Sequence, residues 1–339
     1  MSDVRYSRLE RFAPVGRALS RWRESSCAVV GLGGLGCGLV QYLARLGVAR
    51  LILIDRDTVG HENLGHQLLY SVEHAERALP KAQAAADAVH AINPEVAVTL
   101  HIDELTRHNA DQMLGGADML LDGLDNYFTR FTVNDYAVKT GKPYFYAGVV
   151  RGELSAKAVI PGKTSCLRCL LDAPPAPGEV PTCAAEGVFA PLLAVANALQ
   201  LDAANRWLQA GGGEFDDTLY SLDTADWQLR QTALGGPRPG CPACSEQRFE
   251  YLDGTMDHLA QYACHGARSE ARLSAAADLQ AVRVSLEASG NFTVRANPYC
   301  VVAEHGAVRY TLFASGKVIV EGADTPGELN RFIATYLGT

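Results

Sequence analysis

The stretch "CAVVGLGGLGCGLVQYLARLGVARLILIDRD", residues 27–57, constrains the fold more than any other part of the chain. It reads as strand, glycine-rich turn, helix and strand. Val29 and Val30 close the first strand, and Leu39, Tyr42, Leu43 and Leu46 recur at helical spacing. Leu51 to Ile54 is an unbroken apolar run, as expected of a strand buried on both faces of a parallel sheet. Downstream, "LPKAQAAADAVHAINP" is helical from Lys81, and "VAVTLHI", "ADMLLDGLD" and "KPYFYAGVV" read as strands. The alternation predicts an α/β protein with a Rossmann-like, doubly wound, mostly parallel sheet.

Gly31, Gly33, Gly34 and Gly36 form the first turn. Glycines there let backbone amides approach a phosphate at a helix N-terminus. Asp55 ends the second strand, where an acid holds ribose hydroxyls. Alone, this pattern points to NAD or FAD. Other residues bend it away from NAD. Asp57 makes an Asp-x-Asp pair, and Lys81 opens a helix after a proline, where it meets phosphate oxygens as a point charge. Asp125 lies at the carboxyl edge of a strand, and a carboxylate beside phosphates is a natural Mg²⁺ ligand. Each has a plainer alternative: Lys81 as a solvated helix residue, and Asp125 as N-cap of the helix containing Phe131. "HENLGHQ", residues 61–67, places His61 and His66 around Asn63 and ends on Gln67. It reads as a metal pair, a nucleotide contact or a polar loop.

From residue 170 the character changes. "DAPPAPGEVPT" is too proline-rich for a regular element, and "VFAPLLAVANALQLDAANRWL" reads as a long, mostly buried helix. "DTLYSLDTADWQLRQTAL" alternates like edge strands. Among the nine cysteines, Cys166-x-x-Cys169 and Cys241-x-x-Cys244 form two knuckles. Four thiolates suit a closed tetrahedral Zn²⁺ site that staples the end of the sheet region to the tail near residue 244. A redox role fits less well, because neither pair opens a helix after a thioredoxin-type strand. Cys183 stands apart, before the long helix, where a helix N-terminus lowers a thiol pKa toward nucleophilic use. The competing reading is an inert buried thiol.

Residues 1–250 thus form one domain and 255–339 a small α+β accessory domain. "AADLQAVRVSLEAS" is helical, and several short strands follow with turns at Asn297-Pro298, His305-Gly306 and Ser315-Gly316. "TPGELNRFIATYLG" is a last amphipathic helix, and His258, Cys264 and His265 read either as a metal cluster or, better, as chance neighbours in an irregular linker. The net charge of −8 argues against nucleic-acid and anionic-membrane partners. The charged N-terminus and odd cysteine count fit a cytoplasmic protein with reduced thiols.

Together these residues resemble the ThiF/MoeB family, the bacterial relatives of ubiquitin-activating enzymes. The resemblance runs from "RYSRLERF" at residue 5 to Cys244. It includes "GLGGLGC", "DRDTV", "NL..Q", "PK", "D..DN", both knuckles and "TCAAEGVFAPL". It implies ATP-dependent adenylation of the C-terminal glycine of a ubiquitin-fold sulfur carrier ending in Gly-Gly, of the kind used in molybdopterin or thiamine synthesis. By position, Gly31, Gly33 and Gly34 would line the phosphates and Asp55 would hold the ribose. Asp57, Asn63, Gln67, Lys81 and Asn126 would complete the nucleotide site, with Asp125 on Mg²⁺. Arg8 would reach the ATP of the other subunit of a homodimer. Cys183 matches a cysteine that in some members forms a covalent link to the carrier.

One position departs. The family reads Asn-Leu-Gln-Arg-Gln where this chain has Asn63-Leu64-Gly65-His66-Gln67, so His66 replaces an arginine that clamps phosphates. A neutral imidazole lacks the guanidinium's permanent charge and fork of donors. His66 then does a weaker version of the job, another cation such as Arg77 substitutes, or adenylation is altered. The other functional classes are an enzyme that adenylates a peptide or natural-product carboxylate, a non-catalytic scaffold with this fold and, more distantly, an NAD-dependent oxidoreductase. The extension after residue 255 resembles one on some bacterial ThiF-like proteins and is expected to act in docking or dimer support.

Overall fold

The computed structural model describes residues 4–175, 186–257, 268–273, 275–323 and 327–337. Cys183, His258, Cys264 and His265 lie outside the described residues. The chain packs as two units. One comprises Met1–Arg56, Gly65–Leu69 and Ala82–Ala263, and the other Asp57–Leu64, Tyr70–Lys81 and Cys264–Thr339. The sequence reading makes one cut, near residues 250–255. The packing instead assigns two short segments around the "HENL" stretch to the same unit as the C-terminal residues.

The first unit carries an eight-stranded sheet. Its strands are β1 (Ser26–Val30), β2 (Arg50–Ile54), β3 (Ala97–His101), β4 (Met119–Asp122), β5 (Tyr144–Val150), β6 (Glu153–Val159), β7 (Thr218–Asp223) and β8 (Gln228–Ala233). Their order is β3-β2-β1-β4-β5-β6-β7-β8. The pairs from β3 through β5 are parallel, whereas β5-β6, β6-β7 and β7-β8 are antiparallel. The strand order reverses between β1 and β4, because the chain runs outward from β1 to β3 and returns on the other side of β1.

Alternate residues of β1 enter different cores. Cys27 and Val29 join a cluster with Leu39, Leu43 and Ala204, while Ala28 and Val30 join one with Phe131, Val133 and Tyr251. A sheet covered on both faces accounts for the apolar runs in its central strands. Helices Gly34–Leu46 and Tyr127–Thr140 end on the left-handed glycines Gly47 and Gly141. The predicted long helix spans Ala190–Ala210.

The second unit carries an antiparallel sheet ordered β10-β11-β12-β13-β9. Its strands are β9 (Arg268–Arg272), β10 (Thr293–Ala296), β11 (Cys300–His305), β12 (Val308–Phe313) and β13 (Lys317–Glu321). The three turns expected from sequence fall between successive strands from β10 to β13. Helix Leu279–Ser289 and the C-terminal helix from Gly327 supply Leu286, Leu329 and Phe332 to its core. The final segment, Ile333–Leu337, widens into a π-type turn.

Candidate active site

The loops after β1 and β4 meet where the strand order reverses, the crevice in which open α/β sheets bind ligands. Gly31 N donates to Ile54 O at 2.9 Å and Gly123 N to Val30 O at 2.8 Å, extending both ladders by one residue. Gly31 is left-handed, with φ +85°. A Cβ on Gly36 would lie 2.0 Å from Gly31 O, and one on Gly123 would lie 2.1 Å from the same atom. Gly31, Gly36 and Gly123 therefore interlock by backbone contact, which any side chain would prevent. Gly33 differs: a Cβ there would meet nothing closer than Gln67 Nε2 at 3.9 Å. The open side of this turn is thus at Gly33, the N-cap of helix Gly34–Leu46.

Asp55 is half-buried, and its Oδ2 accepts from Leu32 N at 2.7 Å. It pins the glycine turn to the end of β2. His66 and Gln67 reach the same turn. The Gln67 side-chain amide lies 3.4 Å from His66 Nε2. Gln67 is 5% exposed, and its Oε1 is buried without a hydrogen-bond partner among the described residues. A buried amide oxygen is costly to leave unpaired, so this atom marks a place for a donor. His61 is exposed, whereas His66 is half-buried.

At the end of β4, Asn126 rather than Asp125 caps the next helix, its Oδ1 accepting from Thr129 N at 2.9 Å. The N-cap alternative for Asp125 therefore falls, and Asp125 is exposed at the carboxyl edge. Beneath it lies a network that the sequence reading does not identify. Asp122 is fully buried and pairs with Arg130 Nε at 3.2 Å, and Tyr144 OH donates to it. Arg130 Nη2 also donates to Ala147 O at 3.0 Å, and its guanidinium lies 5.1 Å from the centre of the Tyr146 ring. Gln200, on the long helix, donates to the carbonyls of Asp122 and Phe145, both at 2.9 Å. Burial pushes the Asp122 carboxyl up against the pull of Arg130 and Tyr144, while the paired guanidinium is held firmly charged. The network ties β4, β5 and two helices together directly under the Gly123–Asn126 loop. Its only sequence signal is an aspartate closing an apolar strand.

Asp57, Asn63 and Lys81 belong to the second unit. Lys81 is 7% exposed and its Nζ lies 3.3 Å from Asp57 Oδ2, so the solvated alternative for Lys81 is incorrect. Its N–H donates to Asp57 O at 2.9 Å. Asn63 Oδ1 accepts from Gly60 N at 2.8 Å, closing the turn that carries it. Arg8 is exposed on the short helix Ser7–Arg11, beside the buried Tyr6.

The two knuckles converge. The four sulfurs of Cys166, Cys169, Cys241 and Cys244 lie within 4.8 Å of one another. The separations are 3.9 Å for Cys166–Cys169, 3.6 Å for Cys166–Cys241 and 3.2 Å for Cys169–Cys244. A tetrahedron with Zn–S near 2.3 Å has S···S edges of about 3.8 Å, so the donor set fits Zn²⁺. Arg238 N donates to Cys169 Sγ at 3.4 Å, the outer contact expected of a thiolate ligand. Cys166 caps a four-residue helical turn, Leu167–Leu170, so the first pair does open a short helix. Arg168, within that turn, reaches Glu250 at 2.9 Å and fastens the knuckle to the residues beyond the second pair.

Fold and site together define a nucleotide-binding α/β protein with a cysteine-stapled tail. The chain belongs to the ThiF family, whose profile matches residues 6–243. It is 32% identical to the sulfur carrier protein ThiS adenylyltransferase of Bacillus subtilis over 340 residues, covering 98% of this chain and 99% of that protein. That match includes the C-terminal sheet, which lies beyond the family profile. The SAMP-activating enzyme E1 of Haloferax volcanii is 33% identical over 252 residues, 74% of this chain and 91% of that one. Among solved structures, the E. coli microcin C7 biosynthetic enzyme MccB is similar in fold. It has a TM-score of 0.61 and 22% identity, over 72% of this chain and 75% of that one. No described helix is long and apolar enough to cross a membrane.

Proposed function

We propose that this protein is an adenylyltransferase that uses ATP to activate the C-terminal glycine of a ubiquitin-fold sulfur carrier. One observation carries the reading: an open, glycine-lined turn at the sheet's switch point, beside the side chain of Gln67, whose buried Oε1 has no hydrogen-bond partner among the described residues. The carrier as substrate rests on the relatives, above all the end-to-end likeness to a ThiS adenylyltransferase.

In this reading the carrier's terminal carboxylate attacks the α-phosphate, and pyrophosphate leaves with the β- and γ-phosphates. The protein's task is alignment and charge neutralisation. The amides around Gly33 and Gly34 cradle phosphate, Asp55 takes the ribose, and Asp57, Asn63, His66, Gln67, Lys81 and Asn126 complete the nucleotide contacts. Asp125 would hold Mg²⁺, which when bound would supply positive charge to the phosphates. Arg8 acts on the ATP of a second copy in a homodimer. The four-cysteine centre holds Zn²⁺ as a structural staple. The deprotonated thiol of Cys183 then attacks the carbonyl carbon of the carrier's acyl-adenylate, so that a thioester forms as the acyl–oxygen bond to AMP breaks and AMP leaves. Replacement of Cys183 by serine would leave the adenylation step intact while abolishing the covalent adduct.

The test is exchange of radiolabelled pyrophosphate into ATP against a panel of Gly-Gly-ending carriers. Carrier-dependent exchange is expected. Exchange with a short peptide and with no carrier would move the substrate to peptides. Carrier binding without exchange would leave a scaffold.

A further inference from the structure

We infer that Asn297, in the turn between β10 and β11, is a positioning residue for Lys81, acting through a strained turn at Ala78. The role of Lys81 in phosphate binding rests on the adenylation reading, whereas the clamp stands on geometry alone.

Residues 70–81 pack in the same unit as the C-terminal sheet. The short helix Val72–Glu76 ends at Arg77, and Ala78 follows with φ +44°. Left-handed backbone is costly for alanine, because its Cβ crowds the following carbonyl and it has no polar side chain to compensate. Helices commonly end on glycine at such a position. Here the fold supplies the compensation from the C-terminal sheet. Asn297 Nδ2 donates to Arg77 O and Ala78 O, both at 3.0 Å. Arg295 Nη1 donates to Ala75 O at 3.1 Å. The carbonyls of Ala75, Arg77 and Ala78, at and just past the helix's C-terminus, thus accept hydrogen bonds from a distant part of the chain.

Asn297 is itself held in place. Its Oδ1 accepts from Tyr299 N at 2.9 Å and Cys300 N at 3.0 Å, so the carboxamide points its donor edge at the Ala78 turn. The turn leads directly into Leu79, Pro80 and Lys81. Those residues run antiparallel to residues 57–59: Val59 N donates to Leu79 O at 2.8 Å and Lys81 N to Asp57 O at 2.9 Å. Arg309, on β12, anchors the other strand of this ribbon by donating to Thr58 Oγ1 at 2.5 Å. Both arms that fix Lys81 are therefore tied to the C-terminal sheet. The sheet serves the reaction by setting where the lysine stands.

The discriminating variant is Asn297→Asp. It keeps the Oδ1 acceptor that closes the β10–β11 turn but replaces the donor with an oxygen facing two carbonyls. Circular dichroism is expected to stay native. Amide hydrogen exchange at Leu79 and Lys81 is expected to speed up about tenfold or more. The maximal rate of pyrophosphate exchange should fall about tenfold, with the KM for carrier unchanged. Adding Ala78→Gly should restore that rate, because glycine takes the left-handed conformation without the clamp. Unchanged amide exchange in Asn297→Asp, or a rate loss that Ala78→Gly does not rescue, overturns the proposal. If Asn297→Asp loses its fold, Ala78→Gly paired with Asn297→Ala decides the point by the same rescue. A wild type that shows no pyrophosphate exchange with any carrier sinks the adenylation reading, and the amide exchange still decides the clamp.

Discussion

The His66 ring stands against the first residue of helix Gly34–Leu46: a Cβ placed on Gly34 would come within 3.4 Å of His66 Cδ2. The residue that replaces the family arginine is therefore at the glycine-rich turn and not displaced from it. His66→Arg is expected to raise the carrier-dependent pyrophosphate exchange rate by about three- to tenfold, since a guanidinium adds a permanent charge and a fork of donors. A fall in rate would mean that the imidazole is a specialised contact rather than a weakened clamp.

The Asp122–Arg130 pair gives a stability prediction. Both side chains are buried, so removing one strands the other's charge in a low-dielectric setting. Arg130→Met is expected to cost roughly 3–5 kcal/mol in urea denaturation. Asp122→Asn keeps an acceptor for Tyr144 but leaves the guanidinium without its counter-charge, and a loss of similar order is expected. A change under about 1 kcal/mol in both would show that water reaches this pair.

The cysteine centre should hold one zinc per chain, measurable by atomic emission on the purified protein. Cys244→Ser is expected to release the metal and lower stability by roughly 3 kcal/mol or more, a drop in Tm of roughly 6–12 °C. Metal-free protein with wild-type stability would turn the four thiols back into a redox candidate.

Asp217 makes acid sensitivity predictable. Burial pushes its carboxyl up, but Lys157 and the N–H groups of Ser165 and Gly236 outweigh that and hold it below the ordinary carboxylate value. Ser165 N and Gly236 N donate at 3.0 and 2.8 Å, so this carboxylate joins the approaches to both knuckles. A group whose folded pKa is depressed contributes stability above its unfolded value, near pH 4, and loses it as pH falls through the folded value. Wild type should therefore lose stability below about pH 4, and Asp217→Asn should be less stable at pH 7 with a shallower acid limb. Denaturant midpoints across pH 2–7 read both slopes, and parallel wild-type and variant curves would refute the assignment.

Some of this protein is written locally. Alternating apolar strands and helices, a glycine turn between them, and two Cys-x-x-Cys pairs are patterns within short windows of chain. Their backbone and metal-ligand chemistry follows from residue type and spacing alone. The mostly parallel sheet, the long helix Ala190–Ala210 and the turns of the C-terminal strands were all legible for that reason. The positions of Asp55 at a strand end and of the glycines at a helix start were legible too, because both are local in sequence.

Other features depended on which distant segments meet. Asp122, Arg130, Tyr144 and Gln200 look ordinary one at a time, and only packing makes them one buried network. Lys81 reads as a surface helix residue until the fold buries it against Asp57. Asn126, not its neighbour Asp125, caps the helix, a choice between adjacent polar residues made by backbone geometry. Ala78 carries no sequence sign of a left-handed turn, because the groups that permit it, Asn297 and Arg295, lie more than 200 residues away. The cost of burying a polar group, or straining a backbone, is set by the partner that arrives in three dimensions. The sequence alone therefore determined the class of fold and the chemistry available to it, and the tertiary structure decided which of those groups are held together.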